Sequence, residues 1–260
     1  MKNKVKQKIM NGENVLGVFL GIFAPSLIEM IGYTGYDFVV IDDEHGAFSH
    51  SEIEDMVRAA ELVDLVPIIR VSYDASSIQK ALDRGAKGIQ VPMVNTKEDA
   101  ELVVKRAKFP PQGQRGAAFA IRAARFGMDG GESYFNESDE NVLICVHIET
   151  PEAVQNFREI MSVSGIDMAF IGSTDLSVNM GYKAEGAQHP EVQQVIQELY
   201  KIGKEYGFKI GTVAANAQGA LKGFELGASY IGITGTSVIM QALDQIVNET
   251  MKMDDKNRIL

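Results

Sequence analysis

Charged and polar side chains directly follow short apolar runs at several points along the chain. Asp42-Asp43-Glu44-His45 follows FVVI, Arg70 ends VPIIR, and Glu149 follows LICVHI. Further along, Gly172-Ser173-Thr174-Asp175 follows MAFI. Charge placed next to an apolar strand is costly unless it is paired or used. A histidine, an arginine and several carboxylates at such positions indicate acid–base chemistry, anion stabilisation and metal binding.

Glu149 and Asp175 are the candidate metal ligands. Two carboxylates at neighbouring strand ends, with open positions for water and substrate, suit Mg2+ or Mn2+, and Co2+ or Zn2+ are possible. The alternative is that both carboxylates cap the helices that follow them. Thr150 before Pro151 is the better helix cap, which leaves Glu149 without that structural role.

Alternation along the run Leu143 to Glu149 places His147 on the same strand face as Cys145 and Glu149. The opposite face is entirely aliphatic and should meet the surrounding helices. His147 should therefore point inward beside Glu149. Three roles are open for it: a third metal ligand, a group that holds a metal-bound water, or a buried structural histidine.

Arg70 and His45 complete the candidate site. A cation at the end of VPIIR can clamp a carboxylate or stabilise a developing oxyanion, or it can form an ion pair within the acidic rim. A histidine among acids is typical of a general acid or base, although a lone loop histidine is often just solvated.

The elements that carry these residues follow a recurring pattern, in which a polar, helix-like run ends at a glycine and a short apolar run follows. The glycines suit the left-handed residue after a helix, and the apolar runs predict strands buried on both faces. Eight alternating units predict a (β/α)8 TIM barrel, whose site lies at the carboxyl ends of the strands. A doubly wound sheet is the alternative, but the chain lacks a glycine-rich phosphate motif. The predicted strands are 15–20, 37–41, 66–69, 87–91, 143–148, 167–171, 209–213 and 229–233.

Between the strands, the apolar spacing of 51–63 predicts a helix that begins with a capping box at Ser49 and Glu52. Thr150 and Pro151 predict the start of a second helix over 151–161. Two longer connections, 92–142 and 172–208, are typical of lids or interface arms. We interpret residues 1–260 as a single barrel domain with a polar tail at about 251–260.

Composition limits the class of protein. The chain has 260 residues, a net charge of −10 and one cysteine, Cys145. This excludes an intrachain disulfide and disfavours nucleic acid and anionic membranes as partners. The basic and apolar amino terminus resembles a signal peptide, but Val15–Leu20 is needed as the first strand. We expect a cytoplasmic enzyme.

Several blocks of sequence agree, in order, with one known family. They are VVIDDEHGAFS, IIR at 68–70, GAKGIQVPMVNT, PPQGQRGAA, VHIET, and FIGSTDLSVNMGY followed by QHPEV. Over about residues 13 to 245 the chain closely resembles the HpcH/HpaI family of class II pyruvate aldolases. The resemblance implies a (β/α)8 barrel that reversibly cleaves 4-hydroxy-2-oxo acids to pyruvate, or a related keto acid, and an aldehyde.

By position, the resemblance implies that Glu149 and Asp175 bind the divalent metal ion. It implies that Arg70 contacts the keto-acid oxygens and stabilises the enolate. Backbone groups from Gly172 to Thr174, with Ser173 between them, would hold the keto-acid carboxylate. The partners implied are therefore small molecules, a keto acid and an aldehyde.

The resemblance also implies that His45 is the acid–base group. Asp42, and Asp83 from a neighbouring subunit, would orient His45 or tune its charge. The family typically assembles as a hexamer in which the C-terminal helix packs on a neighbouring subunit.

The chain departs from the family pattern at three places. His147 stands where Gln is usual, Ser173-Thr174 replaces a Pro-Ala pair, and Phe19 stands where Trp is common. These changes keep open other metal–enolate chemistry, such as oxaloacetate decarboxylation. A lysine Schiff-base aldolase and a non-catalytic barrel are further alternatives.

Overall fold

The computed structural model describes residues 2–257 of the chain, and side chains to residue 251. Eight parallel strands pair in chain order and close into a barrel through the pairing of the first with the last. The predicted (β/α)8 barrel is confirmed. The strands are β1 (Val15–Leu20), β2 (Phe38–Asp42), β3 (Val66–Arg70), β4 (Gly88–Val91), β5 (Leu143–Ile148), β6 (Met168–Ile171), β7 (Ile210–Ala214) and β8 (Tyr230–Thr234).

Helices alternate with the strands and cover the barrel. Each of the two long connections, 92–142 and 172–208, contains two of them. The helices are α1 (Lys4–Met10), α2 (Pro25–Tyr33), α3 (His50–Leu62), α4 (Ser77–Asp83), α5 (Lys97–Ala107), α6 (Gly131–Asn141), α7 (Pro151–Gln155), α8 (Phe157–Met161), α9 (Ser173–Asn179), α10 (Pro190–Tyr206), α11 (Ala217–Leu226) and α12 (Gly235–Asn257).

Local sequence sets the ends of these helices. Ser49 and Glu52 form the predicted capping box of α3, and the Thr150 hydroxyl accepts a hydrogen bond from the Ala153 N–H at the start of α7. Gly207 ends α10 in the left-handed region, with φ of 75°, where a Cβ is disfavoured. The prediction of a single helix over 151–161 is wrong in one respect. The backbone of Asn156 is not helical, and the segment divides there into α7 and α8.

The amino-terminal end of the barrel is closed by an apolar plug. Val5 and Ile9 of α1 are fully buried in one cluster with the inward-facing residues of the lower strands. Inside it the rings of Phe38 and Tyr230 stack with centroids 4.0 Å apart. The outward faces of the strands pack against the helices in a second, larger cluster. Only the carboxyl ends of the strands remain for a polar site.

Helix α12 carries a row of exposed apolar side chains. They are Val238, Met240, Leu243, Ile246, Val247 and Met251. The predicted polar tail at 251–260 begins inside this helix, whose backbone is helical to Asn257, and its last three residues lie outside the described part of the chain. Exchange of this helix with a neighbouring subunit, and a single domain over 1–260, stay predictions.

Within residues 2–257, none of the helices has the length and apolar character needed to cross a membrane.

Candidate active site

A cavity of about 330 Å³ opens at the carboxyl ends of the strands. Its wall combines carboxylates and one arginine with hydroxyl groups and aromatic rings. The lining residues are Phe19, Gly21, Asp42, Arg70, His147, Glu149, Phe170, Gly172, Ser173, Thr174, Asp175, Val213, Thr234 and Thr236. Most of the candidate residues therefore meet in one place, at the end of the barrel where enzymes with the (β/α)8 fold have their active sites.

Arg70 is clamped between two carboxylates at the mouth of the cavity. Its Nε and Nη2 donate to Asp42 Oδ1 and Oδ2 at 2.7 and 2.6 Å, and its Nη1 lies 3.0 Å from Glu44 Oε2. Asp42 and Arg70 are paired residues of β2 and β3, which brings the two side chains together. Burial by itself lowers the pKa of Arg70, but the hydrogen bonds and charge of Asp42, with the charge of Glu44, raise it overall. The guanidinium is thus a fixed positive charge at the cavity.

Glu149 is buried, with 3% of its surface exposed, yet it faces the cavity. The Met93 backbone N–H donates to its Oε1 at 2.7 Å, and His147 Nδ1 lies 3.3 Å from its Oε2. Burial raises the pKa of Glu149, but the contacts with His147, the Met93 N–H and the charge of Arg70 lower it overall. The carboxylate is therefore held in its charged form.

Gly172 gives Glu149 the room that it needs. A Cβ at position 172 would lie 2.5 Å from Glu149 Oε2, so any side chain there would displace the Glu149 carboxylate. Asp175 follows in the first turn of α9, exposed and facing the same cavity. The Asp175 side chain makes no hydrogen bond or ion pair within the part of the chain that the structure describes. Ser173 and Thr174, between them, also line the cavity.

The carboxylates of the cavity are the groups that could bind the divalent metal ion predicted from the sequence. No group of three or more His, Cys, Asp or Glu side chains in residues 2–257 is arranged to hold a metal ion. Glu149 and Asp175 instead offer two carboxylates on one cavity, one held charged and one unpaired. Mg2+ is usually bound through one or two carboxylates, with waters and substrate oxygens completing its shell. The residues therefore fit a hard divalent cation with open coordination positions.

His147 points into the barrel, as the strand alternation predicts, and is 1% exposed. Its ring stacks on Phe170, with centroids 4.8 Å apart. Its second nitrogen, Nε2, lies 2.9 Å from Gln90 Oε1. Cys145, one step below on the same face, is buried in the apolar plug.

His45 and Asp83 do not join the cavity of their own chain. The His45 side chain is 64% exposed, and its Nε2 lies 3.8 Å from Glu44 Oε2. Both Asp42 oxygens accept from Arg70, and Asp42 Oδ1 also accepts a long hydrogen bond, 3.5 Å, from the His45 backbone N–H. The predicted role of Asp42 in orienting His45 or tuning its charge stays a prediction. Asp83, at the end of α4, pairs with Arg115 at 2.8 Å. The role of Asp83 in the site of a neighbouring subunit stays a prediction.

Sequence reasoning missed three polar residues of this region. Glu44 contacts Arg70. Four charged or titratable residues follow one another from Asp42 to His45, so the sequence gave no reason to prefer Glu44 to its neighbours. The Tyr73 hydroxyl donates to Glu44 Oε1 at 3.0 Å, and burial together with that carboxylate raises the pKa of Tyr73 to about 12. Gln90 is fully buried in β4. A polar residue between Ile89 and Val91 was the available signal for it.

The fold and the cavity define a (β/α)8-barrel protein with an anchored arginine and two carboxylates at the functional end of the barrel. The model of the HpcH/HpaI aldolase/citrate lyase family matches residues 15–240, and the chain belongs to this family. The family description and the names of its relatives indicate a carbon–carbon lyase.

The chain is similar to named members of that family. It is 33% identical to the 2-keto-3-deoxy-L-rhamnonate aldolase of Klebsiella pneumoniae, over 94% of this chain and 92% of that protein. It is 32% identical to the 4-hydroxy-2-oxo-heptane-1,7-dioate aldolase of Escherichia coli, over 95% and 94%. The crystal structure of a family member from Burkholderia cenocepacia superposes with a TM-score of 0.91 at 28% identity, over 96% and 100%.

Proposed function

We propose that this protein is a divalent-metal-dependent aldolase that reversibly cleaves a 4-hydroxy-2-oxo acid to pyruvate, or a related keto acid, and an aldehyde. One observation carries the proposal: Glu149, Asp175 and Arg70 line a single cavity at the carboxyl ends of the strands. Relatives with about one third identity carry the names of aldolases that act on such acids. The alternation of strand residues and the family resemblance point to the same side chains.

In this proposal Glu149 and Asp175 hold the metal ion, Mg2+ or Mn2+. A divalent ion bound there supplies a Lewis acid for the oxygens of the keto acid. Arg70 adds a second fixed positive charge where enolate charge develops as the C3–C4 bond breaks. Asp42 and Glu44 hold the guanidinium in place, so that no reorganisation is needed during the reaction. The segment from Gly172 to Thr174 binds the keto-acid carboxylate.

We assign to His45 the removal of the 4-hydroxyl proton as the C3–C4 bond breaks and the aldehyde forms, and the return of a proton to C3 of the enolate, which gives the keto acid. It stands at the rim beside Glu44 and is accessible. We assign two roles to Asp42: it positions Arg70 through both of its oxygens. It also orients His45 or tunes its charge, since Asp42 Oδ1 accepts from the His45 backbone N–H. The proposal retains the implied hexamer, in which Asp83 of one subunit approaches His45 of another and α12 packs on a neighbour.

The experiment is an add-back assay on the chelated protein. Mg2+, Mn2+, Co2+ or Zn2+ is added singly, and pyruvate release is followed from 4-hydroxy-2-oxo acids of several chain lengths. We expect metal-dependent release that Glu149→Gln reduces by ~10²–10³-fold. The matched control is Glu152→Gln, since Glu152 is an exposed carboxylate three residues further on, and it should keep its activity.

Two outcomes would contradict the proposal. One is a folded protein that releases no pyruvate with any of the four ions. The other is an equal loss of activity in Glu149→Gln and Glu152→Gln, which would show that Glu149 has no special role in the reaction. Oxaloacetate is included as a substrate, because CO2 release without aldol cleavage would indicate a decarboxylase.

A further inference from the structure

Four buried polar side chains form a continuous chain of contacts from the centre of the barrel to the cavity. Gln90 Nε2 donates to the Tyr230 hydroxyl at 2.7 Å, and Gln90 Oε1 lies 2.9 Å from His147 Nε2. His147 Nδ1 then lies 3.3 Å from Glu149 Oε2. Tyr230 and Gln90 are 0% exposed, His147 is 1% exposed and Glu149 is 3% exposed. We call these four residues the core relay.

The core relay is an unusual way to fill a barrel. Its neighbours are apolar: Tyr230 stacks on Phe38, and His147 stacks on Phe170. Polar groups in such surroundings cost free energy even when they are hydrogen-bonded, and aliphatic side chains fill barrel interiors elsewhere. Packing alone therefore does not explain why Tyr230, Gln90 and His147, rather than apolar residues, lie in the barrel below Glu149.

The relay uses both nitrogens of His147. One faces Gln90 and the other faces Glu149, so the ring has no free nitrogen to direct at the cavity. Of the three roles that the sequence leaves open for His147, direct metal ligation is the one that this geometry disfavours. The contacts instead fix the ring against Phe170 with a single edge towards the Glu149 carboxylate.

Glu149 is thereby held on both of its oxygens. The Met93 N–H fixes Oε1 from the side of β4, and the relay fixes Oε2 from below. Gly172 leaves the remaining side of Oε2 open. A carboxylate restrained in this way keeps its other lone pairs directed at the cavity, where a cation would bind.

We propose that Tyr230, Gln90 and His147 are positioning residues that hold the Glu149 carboxylate in the orientation needed to bind a divalent cation. This inference rests on the proposed function, since it concerns the same cation site. Partners that orient metal ligands typically contribute 10–100-fold to metal affinity. The effect should therefore appear in cation binding without substrate.

The experiment measures Mn2+ binding to the full-length protein by electron paramagnetic resonance of free Mn2+, with no substrate present. Gln90→Met keeps the length of the side chain and removes its polar atoms, and we expect the Kd for Mn2+ to rise ~10–100-fold. Tyr230→Phe keeps the stacking on Phe38 and removes one hydroxyl at the far end of the relay. It should weaken binding by a smaller factor.

The matched control is Tyr200→Phe. Tyr200 is a second tyrosine with little exposure, 5%, but it lies on α10 outside the relay. A purely structural role for the relay would make Tyr230→Phe and Tyr200→Phe equivalent: both would lower the Tm, and neither would change the Kd for Mn2+. Unequal Kd values at similar Tm would support positioning.

His147 gives an internal rescue test. His147→Phe keeps a ring against Phe170 and removes both nitrogens, whereas His147→Gln retains a polar side chain that can span part of the gap. We expect His147→Phe to bind Mn2+ more weakly than His147→Gln. Equal binding by the wild type, Gln90→Met and His147→Phe, all folded, would overturn the inference and leave the proposed function standing. No Mn2+ binding by the wild type would also overturn the inference, and pyruvate release in the add-back assay would then decide the proposed function separately.

Discussion

The two ends of this barrel are built from the same strands and differ completely in character. At the amino end, Val5 and Ile9 of α1 close the barrel over a cluster of buried apolar side chains. At the carboxyl end, Arg70 and Glu149 face a cavity of about 330 Å³. The amino end contributes stability, and the carboxyl end holds charges that an apolar core would not tolerate.

Strand β5 shows how short the transition is. Its inward residues are Leu143, Cys145 and His147, followed by Glu149 just beyond its end. Each step of two residues advances ~6.6 Å along the barrel. The interior therefore passes from a sealed apolar layer to a charged site within two such steps. Substitutions at the two ends should consequently affect different quantities, activity at one and the free energy of unfolding at the other.

The largest effect on activity that we predict in this comparison is that of Arg70→Lys. Lysine keeps the charge but cannot reproduce the paired contact with both oxygens of Asp42, and it is a poorer match for a developing oxyanion. We expect kcat/KM for pyruvate release to fall by ~10²–10³-fold. The assay is aldol cleavage at saturating metal, with circular dichroism to show that the fold is retained.

The matched control is Arg58→Lys. Arg58 lies on the exposed face of α3, where it pairs with Glu54 and Asp55, and surface pairs of this kind contribute little. It should keep wild-type activity. Full activity in Arg70→Lys would show that the Arg70 guanidinium is not needed for the reaction. It would also weaken the assignment of activity to the carboxyl end of the barrel and of stability to the amino end.

At the sealed end, Ile9→Ala should give the opposite result. Ile9 is 0% exposed, and truncating such a side chain typically costs ~2–5 kcal/mol. Urea unfolding measures this loss, and kcat/KM at 25 °C should be unchanged. Met10→Ala, at a neighbouring position with 44% exposure, should lie within ~0.5 kcal/mol of the wild type. A folded Ile9→Ala with greatly reduced kcat/KM would show that the two ends are coupled.

Sequence alone predicts most of the frame. Glycines after polar runs marked where helices end, and apolar runs located all eight strands to within about one residue. The alternation of β5 placed His147 and Glu149 inside the barrel, because a strand alternates its side chains strictly.

Partners of the site residues were harder to predict, because they depend on the register between strands. Asp42 lies beside Arg70 since β2 and β3 pair at those residues, and no local pattern specifies that register. The resemblance assigned Asp42 to His45, whose backbone N–H donates to Asp42 Oδ1 at 3.5 Å, but it did not indicate that both Asp42 oxygens also hold the guanidinium of Arg70. The core relay joins Gln90 to Tyr230, 140 positions apart in sequence, and only closure of the barrel brings them together.

The smallest effect that we predict is that of Ser49→Ala, which changes a structural residue at the carboxyl end of the barrel. The Ser49 hydroxyl accepts from the Glu52 N–H, and the Ser49 N–H donates to the Glu52 carboxylate, where α3 begins after the loop that carries His45. Ser49→Ala removes the hydroxyl contacts and should lower the free energy of unfolding by ~1 kcal/mol, measured by urea unfolding. Ser51→Ala makes the same change two residues further on, in the first turn of α3, and should cost less.

The difference in the free energy of unfolding between Ser49→Ala and the wild type should depend on pH with a definite sign. Hydrogen bonds from the Ser49 backbone and hydroxyl lower the pKa of Glu52 from its ordinary value of 4.5. A depressed carboxyl pKa contributes stability above the unfolded value, and this is lost as the pH falls through the folded value. The gap between Ser49→Ala and the wild type should therefore shrink on acidification below pH 4.5. If kcat/KM also fell in Ser49→Ala at neutral pH, the cap would be positioning the His45 loop, and structural and catalytic residues would be mixed at the carboxyl end of the barrel.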